Sequence, residues 1–248
     1  VLHVAAHYGR LELVQQICEL RADAEKPNDS GHTPLIAAAS ASGGHPEVAR
    51  FLLDAGANME HTARYGMTPF LQAAHHGHLP LVRLLCEEGA DIEHVDALGE
   101  TVLFKTAIRG HVESARLLCH HGADKDHAKA DGATPLHNAA IHGHLDMVHF
   151  LCYEVDVQKE LENKRGNTPI FWAILAGHVA VTRSLCEARA DTEHLTKMSS
   201  TPLHTAAASG ELDIVKCLLG ARADMERRSS SGATPLFSAV GTGQIEAT

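Results

Sequence analysis

The amino-acid sequence predicts an all-α solenoid, a row of short helix-turn-helix units in which each packs on the next. Three observations lead there. A threonine recurs at Thr33, Thr68, Thr101, Thr134, Thr168, Thr201 and Thr234, in steps of 35, 33, 33, 34, 33 and 33 residues. Behind most of these threonines stands the same short text: a proline, an apolar residue, a pair of small residues, a glycine, then a second apolar segment. Aromatic residues make up only 4% of the chain and alanine is common, which suits short helices packed closely. A fixed period of this length marks stacked units, each too small to bury its apolar face alone.

The stretch Gly132–Leu151 shows why each piece forms. Thr134 stands just before a helix, where its hydroxyl can accept from an otherwise unpaired N–H. Pro135 follows at the first helical position, where a missing N–H costs nothing. Leu136, Ala139 and Ala140 make an apolar face of i, i+3, i+4 type. Gly143 ends the helix in the left-handed conformation. Met147, Val148 and Leu151 then mark one face of a second short helix.

With Thr-Pro-Leu-His at Thr134–His137 and the Ala-Ala pair in register, the chain resembles the ankyrin-repeat family over essentially its whole length. The resemblance implies helical hairpins joined by short β-turn or hairpin fingers. It implies one repeat domain over 1–248, about six complete repeats with a partial one at each end. The first unit lacks its threonine, but Leu2, His3, Ala5, Ala6 and Gly9 match Leu136, His137, Ala139, Ala140 and Gly143. The second carries two extra residues near Ser42–Gly43, and the fourth has Val102 for proline and Thr106 for the first alanine. The fifth ends irregularly: Tyr153–Val157 replaces a Gly-Ala-Asp turn and one residue is added. The eighth begins at Thr234 and stops at Thr248, just inside its expected second helix. Neither end has the polar character of a terminal repeat, so the segment is expected to belong to a longer array or a larger complex. After the second helix, Gly56, Gly89 and Gly122 alternate with Arg21, Arg189 and Arg222. Either those turns differ, or arginine offsets left-handed strain by contacting helix-end carbonyls.

The balance of 21 basic and 31 acidic residues, a net charge of −10, argues against a nucleic-acid backbone as partner. The pairs Lys164–Arg165 and Arg227–Arg228 fit solvated turns. No secretory signal is visible, and the longest apolar run, Ile170–Ala176, is far short of a membrane span. Cys18, Cys86, Cys119, Cys152, Cys186 and Cys217 fall in apolar slots of the second helices. Adjacent helices stand about 8–10 Å apart, beyond the reach of a disulfide. They are therefore expected to be small buried hydrophobes in a reducing, intracellular compartment, the cytoplasm first.

No catalytic signature is present: no His-Glu-x-x-His, no phosphate loop, no Gly-x-Ser-x-Gly. The sequence points to no enzyme, no cofactor and no designed metal site. Twenty histidines invite a metal reading, yet most fall into register classes. His45, His78, His111, His144 and His178 follow the helix-ending glycine. His3, His137 and His204 fill the Thr-Pro-Leu-His motif, and His61, His94, His127 and His194 form a further class. The position before that class is acidic at Glu25, Glu60, Glu93, Asp126, Glu193 and Glu226. It reads as a solvated edge on which neighbouring charges neutralise one another. The alternative is an edge whose charge changes as histidines protonate.

In ankyrin-repeat proteins, partners usually dock on a concave face of turn tips and the exposed side of each first helix. Carried over by register, that face comprises Tyr65, Met67, Gln72, His75 and His76; Leu98, Glu100, Lys105, Ile108 and Arg109; Asp131, Asn138, Ile141 and His142; and Lys164, Arg165, Asn167, Trp172 and Leu175. Trp172 is the only tryptophan, and Ile108, Ile141 and Leu175 share one slot in successive units. The expected function is non-catalytic protein recognition or scaffolding. The partner is a protein, with a neutral or basic surface favoured by the acidic field. The competing readings are a targeting arm of a larger enzyme or channel, and a permanent structural subunit of a large assembly.

Overall fold

The computed structural model describes residues 1–243, so the expected second helix of the eighth unit lies outside the described residues. Among the described residues there are fifteen α-helices and no β-strand. The chain divides into two compact units, Val1–Asp124 and Lys125–Thr248. The first contains α1 (Leu2–His7), α2 (Leu11–Glu19), α3 (Pro34–Ser40), α4 (Pro46–Asp54), α5 (Pro69–His76), α6 (Leu79–Glu87), α7 (Val102–Arg109) and α8 (Val112–His120). The second contains α9 (Pro135–Ile141), α10 (Leu145–His149), α11 (Pro169–Leu175), α12 (Val179–Glu187), α13 (Pro202–Ser209), α14 (Leu212–Gly220) and α15 (Pro235–Gly241).

Each unit is a row of hairpins in two layers. In the first, α1, α3, α5 and α7 pack in sequence, and α2, α4, α6 and α8 form the other layer. In the second, α9, α11, α13 and α15 form one layer, and α10, α12 and α14 the other. The Ala-Ala pair explains the close spacing: Ala38–Ala39, Ala73–Ala74 and Ala139–Ala140 are fully buried. Leu35, Leu71 and Leu103 lie beneath the first helices without exposure, each contributing about 1.5–3 kcal/mol.

The helix starts follow the threonines. The hydroxyls of Thr33, Thr68, Thr101, Thr201 and Thr234 accept the N–H three residues on, at 3.2–3.4 Å. Thr101 does so without the proline. Thr168 departs from the expectation: its buried hydroxyl has no partner among the described residues, and the Phe171 N–H donates instead to the Thr168 carbonyl at 3.1 Å. At Thr134 and Thr201 the imidazole Nδ1 accepts the threonine N–H, at 3.1 and 3.3 Å. Gly77 closes α5 at φ 75°, and a Cβ there would fall 2.4 Å from the His111 ring, so only glycine fits.

The fingers are five-residue turns, each closed across its base by one backbone bond and tightened by a second from its fourth N–H to its first carbonyl. The N–H groups of Asn28, Ala63 and Asp96 donate to the carbonyls of His32, Met67 and Glu100; in the second unit Lys129, Asn163, Thr196 and Ser229 do the same. Glycine in the left-handed region at Gly31, Gly66, Gly99, Gly132, Gly166 and Gly232 makes the reversal, with Ser199 taking its place at φ 54°. Asn28, Asp96 and Asn163 hold their fingers through Oδ1, which accepts two N–H groups in each case.

Neighbouring repeats are joined by polar bonds in register. Glu25, Glu60 and Glu93 accept the N–H of Asn58, Asp91 and Asp124 at 2.7–3.0 Å. Asp126, Glu160 and Glu193 accept those of Gln158, Asp191 and Asp224 at 2.8–2.9 Å. Five of the six acids of the acidic edge, all but Glu226, thus accept a backbone N–H of the next repeat. The edge is a series of clasps, and Glu160, displaced in the sequence by one residue, belongs to it. Histidines make the other joints. His61, His94 and His194 donate to the carbonyls of Gly31, Gly66 and Gly166 at 3.0–3.2 Å. His45, His78 and His178 donate to His7, Ala41 and Ile141 at 2.6–3.0 Å.

Three details correct the sequence reading. Only Cys152 is buried; the other five cysteines are half-buried, although all six are free thiols. Arg21, Arg189 and Arg222 sit at φ 61°, 62° and 69°. Their turns carry the same paired bonds as the turn at Gly56, and among the described residues their guanidinium groups make no bond to a helix-end carbonyl. The added residue after the fifth repeat is absorbed as a π-turn over Phe150–Glu154, which ends with Asp156 at φ 48°. Lys125 Nζ donates to the carbonyls of Val155 and Asp156, and the Tyr153 hydroxyl to Ser184 O at 3.1 Å.

Candidate functional site

The fingers and the outward side of the first helices carry the residues singled out above. In Val1–Asp124, Tyr65 stands at a finger tip, 80% exposed and held at φ 62°, with Met67 half-buried at the finger's base. At the end of α5, His75 and His76 meet edge to face at 5.1 Å, and His76 stacks on His78 at 5.7 Å. Arg109 Nη2 donates to His75 Nε2 at 2.9 Å. Burial, reinforced by the Arg109 charge, pushes His75 down to about 4, so at neutral pH it is an uncharged acceptor. Burial also lowers His76, followed by the charges of His78 and Arg109. Ile108 is half-buried and Arg109 exposed.

Glu100, Lys105 and Asn138 are not on this face; all three are buried. Lys105 Nζ donates to Asp96 Oδ2 at 2.5 Å and to Glu100 Oε2 at 2.6 Å, with side-chain exposures of 8%, 4% and 6% respectively. Burial pushes the Asp96 carboxyl up, but Lys105 and the N–H groups of Glu100 and Leu98 outweigh it and hold the pKa below the ordinary value. The triad locks finger to helix and offers no charge to a partner.

In Lys125–Thr248 the expected residues converge. Ile141, Lys164, Arg165, Trp172 and Leu175, with Asp131, Asn163 and Asn167, line one open groove of about 390 Å³. Two successive fingers form one wall, tied by the Lys164 N–H donating to Asp131 O at 2.8 Å. The last residue of α9 and one face of α11 form the floor, where Leu175 is 59% and Ile141 36% exposed. Trp172 is half-buried, its ring edge-on to His137 at 5.3 Å and 76°. That imidazole is fixed from both sides: Nδ1 accepts from Thr134 and Nε2 donates to Asn167 O at 3.0 Å. Burial takes His137 to about 4, so the support is neutral. Trp172 is thus an anchored aromatic wall, neither core nor loose surface.

His142 does not line the groove; its Nδ1 bonds Asn138 O at 2.9 Å and its ring stacks on His144 at 5.9 Å. Asn163 went unrecognised in the sequence. Its signal was a polar turn-former five residues before the cap, shared with Asn28, Asp96 and Thr196. A wider hollow between α12 and α14 is rimmed by Arg183, Glu187, Asp213 and Lys216. Burial drives its Cys186 to about 12 and raises Cys217, which leaves both thiols protonated and poor nucleophiles.

Among the described residues, no group of three or more His, Cys, Asp or Glu side chains is arranged to hold a metal ion. No described helix is long and apolar enough to cross a membrane. The family model for ankyrin repeats (three copies) matches residues 2–96, 93–160, 127–196, 153–229 and 192–248. Comparison with curated proteins finds none that matches.

Proposed function

As this chain belongs to the ankyrin-repeat family, we propose that it is a non-catalytic recognition or scaffolding module whose protein partner docks on the concave face of fingers and first helices. The observation that carries this is the groove in Lys125–Thr248, where seven residues picked out by register line one cleft. Its anchored tryptophan, flanked by exposed Leu175 and Ile141, has the composition of an interface anchor. The finger tip at Tyr65 and the pair His75–Arg109 extend the same kind of surface in Val1–Asp124. All of 1–248 acts as one repeat domain in this reading. Six free thiols suit a reducing, intracellular compartment. The net charge of −10 favours partners whose overall surface is neutral or basic.

The test is a double substitution, Trp172→Ala with Ile141→Ser. It removes the aromatic wall and half of the apolar floor while leaving the caps and clasps in place. Partner capture is expected to vanish while far-ultraviolet circular dichroism stays close to that of the parent. Undiminished capture would place the interface elsewhere.

A further inference from the structure

The groove between the two fingers is cationic in a chain that is acidic overall. Lys164 and Arg165 are exposed, and among the described residues neither side chain forms an ion pair. Lys197 brings a third cation to the same finger, its Nζ donating to Lys164 O at 2.6 Å. The one carboxylate in the lining, Asp131, is already engaged: Oδ1 accepts the Ala133 N–H at 2.9 Å and Oδ2 faces Lys129 Nζ at 3.5 Å. Below these charges lie the exposed floor of Ile141 and Leu175 and the half-buried face of Trp172. The indole N–H and the Asn167 side-chain amide have no partner among the described residues, so they stand ready for the carbonyl and N–H of an extended backbone.

From this juxtaposition we infer that the groove takes an extended peptide segment carrying an acidic side chain next to a bulky apolar one. The carboxylate meets Lys164 and Arg165, where a guanidinium offers paired donors to a carboxylate. The apolar side chain covers Leu175 and Ile141 against Trp172. A polyanion such as single-stranded RNA shares the cation and stacking chemistry, but the net charge of −10 opposes it beyond the groove. The proposal rests on the recognition reading and narrows it. A partner that is neutral or basic overall is steered by the long-range field, and its docking segment is acidic at the point of contact.

Trp172 is the only tryptophan, so its emission reports occupancy of this groove directly. The 248-residue chain is titrated with three probes. One is a short blocked peptide with Glu-Glu-Leu-Phe in a Gly-Ser context; the second has lysines for the glutamates; the third is a short single-stranded RNA. The glutamate peptide is expected to shift Trp172 emission saturably, with affinity falling as salt rises. Lys164→Glu with Arg165→Glu should weaken it by about two- to thirtyfold, the sum of two exposed ion pairs, and should favour the lysine peptide. Equal or tighter binding of the lysine peptide or of RNA, or no response to the glutamate peptide, overturns the proposal. If the glutamate peptide is ignored while Trp172→Ala with Ile141→Ser still abolishes partner capture, the acidic preference fails and the recognition surface stands. If that double variant also captures normally, both fail.

Discussion

Replacing Lys105 by methionine tests whether the buried triad is the lock the geometry makes it. The stem of methionine fills the same channel but leaves Asp96 and Glu100 facing each other without a cation, at side-chain exposures of 4% and 6%. Breaking a buried pair by removing one partner costs about 3–5 kcal/mol, a large share of a domain's stability. The cost should depend on pH with a definite sign. In the parent, Asp96 titrates below its ordinary value. Its contribution is present above the unfolded carboxylate value of about 3.9 and is lost as pH falls through the lower folded value. Without Lys105 the burial that pushes Asp96 up would go unopposed by a cation, and its carboxyl would titrate above its unfolded value. The penalty would then be full at pH 7 and fade as pH falls toward about 4. Urea denaturation followed by circular dichroism from pH 4 to 7 measures both effects. A companion variant, Asp96→Asn with Glu100→Gln and Lys105→Met, should recover most of the loss. Asn163 already supplies the same pair of turn bonds as a neutral residue. A cost below about 1 kcal/mol for Lys105→Met, the level of an exposed pair, or one that grows toward acid pH, would refute the reasoning.

Other outcomes follow from the same geometry. Arg21→Gly, Arg189→Gly and Arg222→Gly should each raise stability by about 0.5–1 kcal/mol in thermal or urea unfolding. Left-handed strain of about 1–2 kcal/mol disappears while the unfolded chain gains freedom; a loss would reveal a role for the arginine side chain. Glu60→Ala removes the clasp on the Asp91 N–H. Amide exchange at Asp91 should quicken, with a global cost of about 1 kcal/mol; unchanged protection there would show the bond to be dispensable. His137, pushed down to about 4 by burial, should stay neutral in proton NMR titrations well below pH 6.5. Because its folded value lies below its unfolded one, stability is full above about 6.5 and falls toward pH 4, by at most about 3 kcal/mol. A titration midpoint near 6.5 would contradict that burial.

Much of the frame was legible because backbone requirements repeat. The threonine caps, the prolines after them and the left-handed glycines are local necessities, and they appeared where the spacing placed them, the Thr168 hydroxyl excepted. The joints were not legible as joints. A glutamate that accepts an N–H some thirty residues later looks, in one dimension, like any solvated acid, and the clasps at Glu25 and Glu193 were read that way. Lys105 misled for a related reason. Its register slot holds Gln72 and Trp172, both partly exposed, but also the buried Asn138, and Asp96 and Glu100 in one finger draw the lysine inward. The groove was half visible. Trp172, Leu175 and Ile141 could be named from spacing, but the support of Trp172 by His137 and the engagement of Asp131 depend on bonds between repeats.

The clasps have a consequence for how such a chain can lengthen or shorten. The joints made by Glu25, Glu60 and Glu93 present one acceptor and one donor in the same register, so excising or copying one full period there leaves matched chemistry at the new seam. The π-turn at Phe150–Glu154 is the exception, since its extra residue is tied to Lys125 on one side and reaches Ser184 on the other. Rearrangement by unequal crossing-over should therefore be tolerated at the regular seams and selected against across 150–157, fixing that boundary as a landmark while its neighbours remain interchangeable.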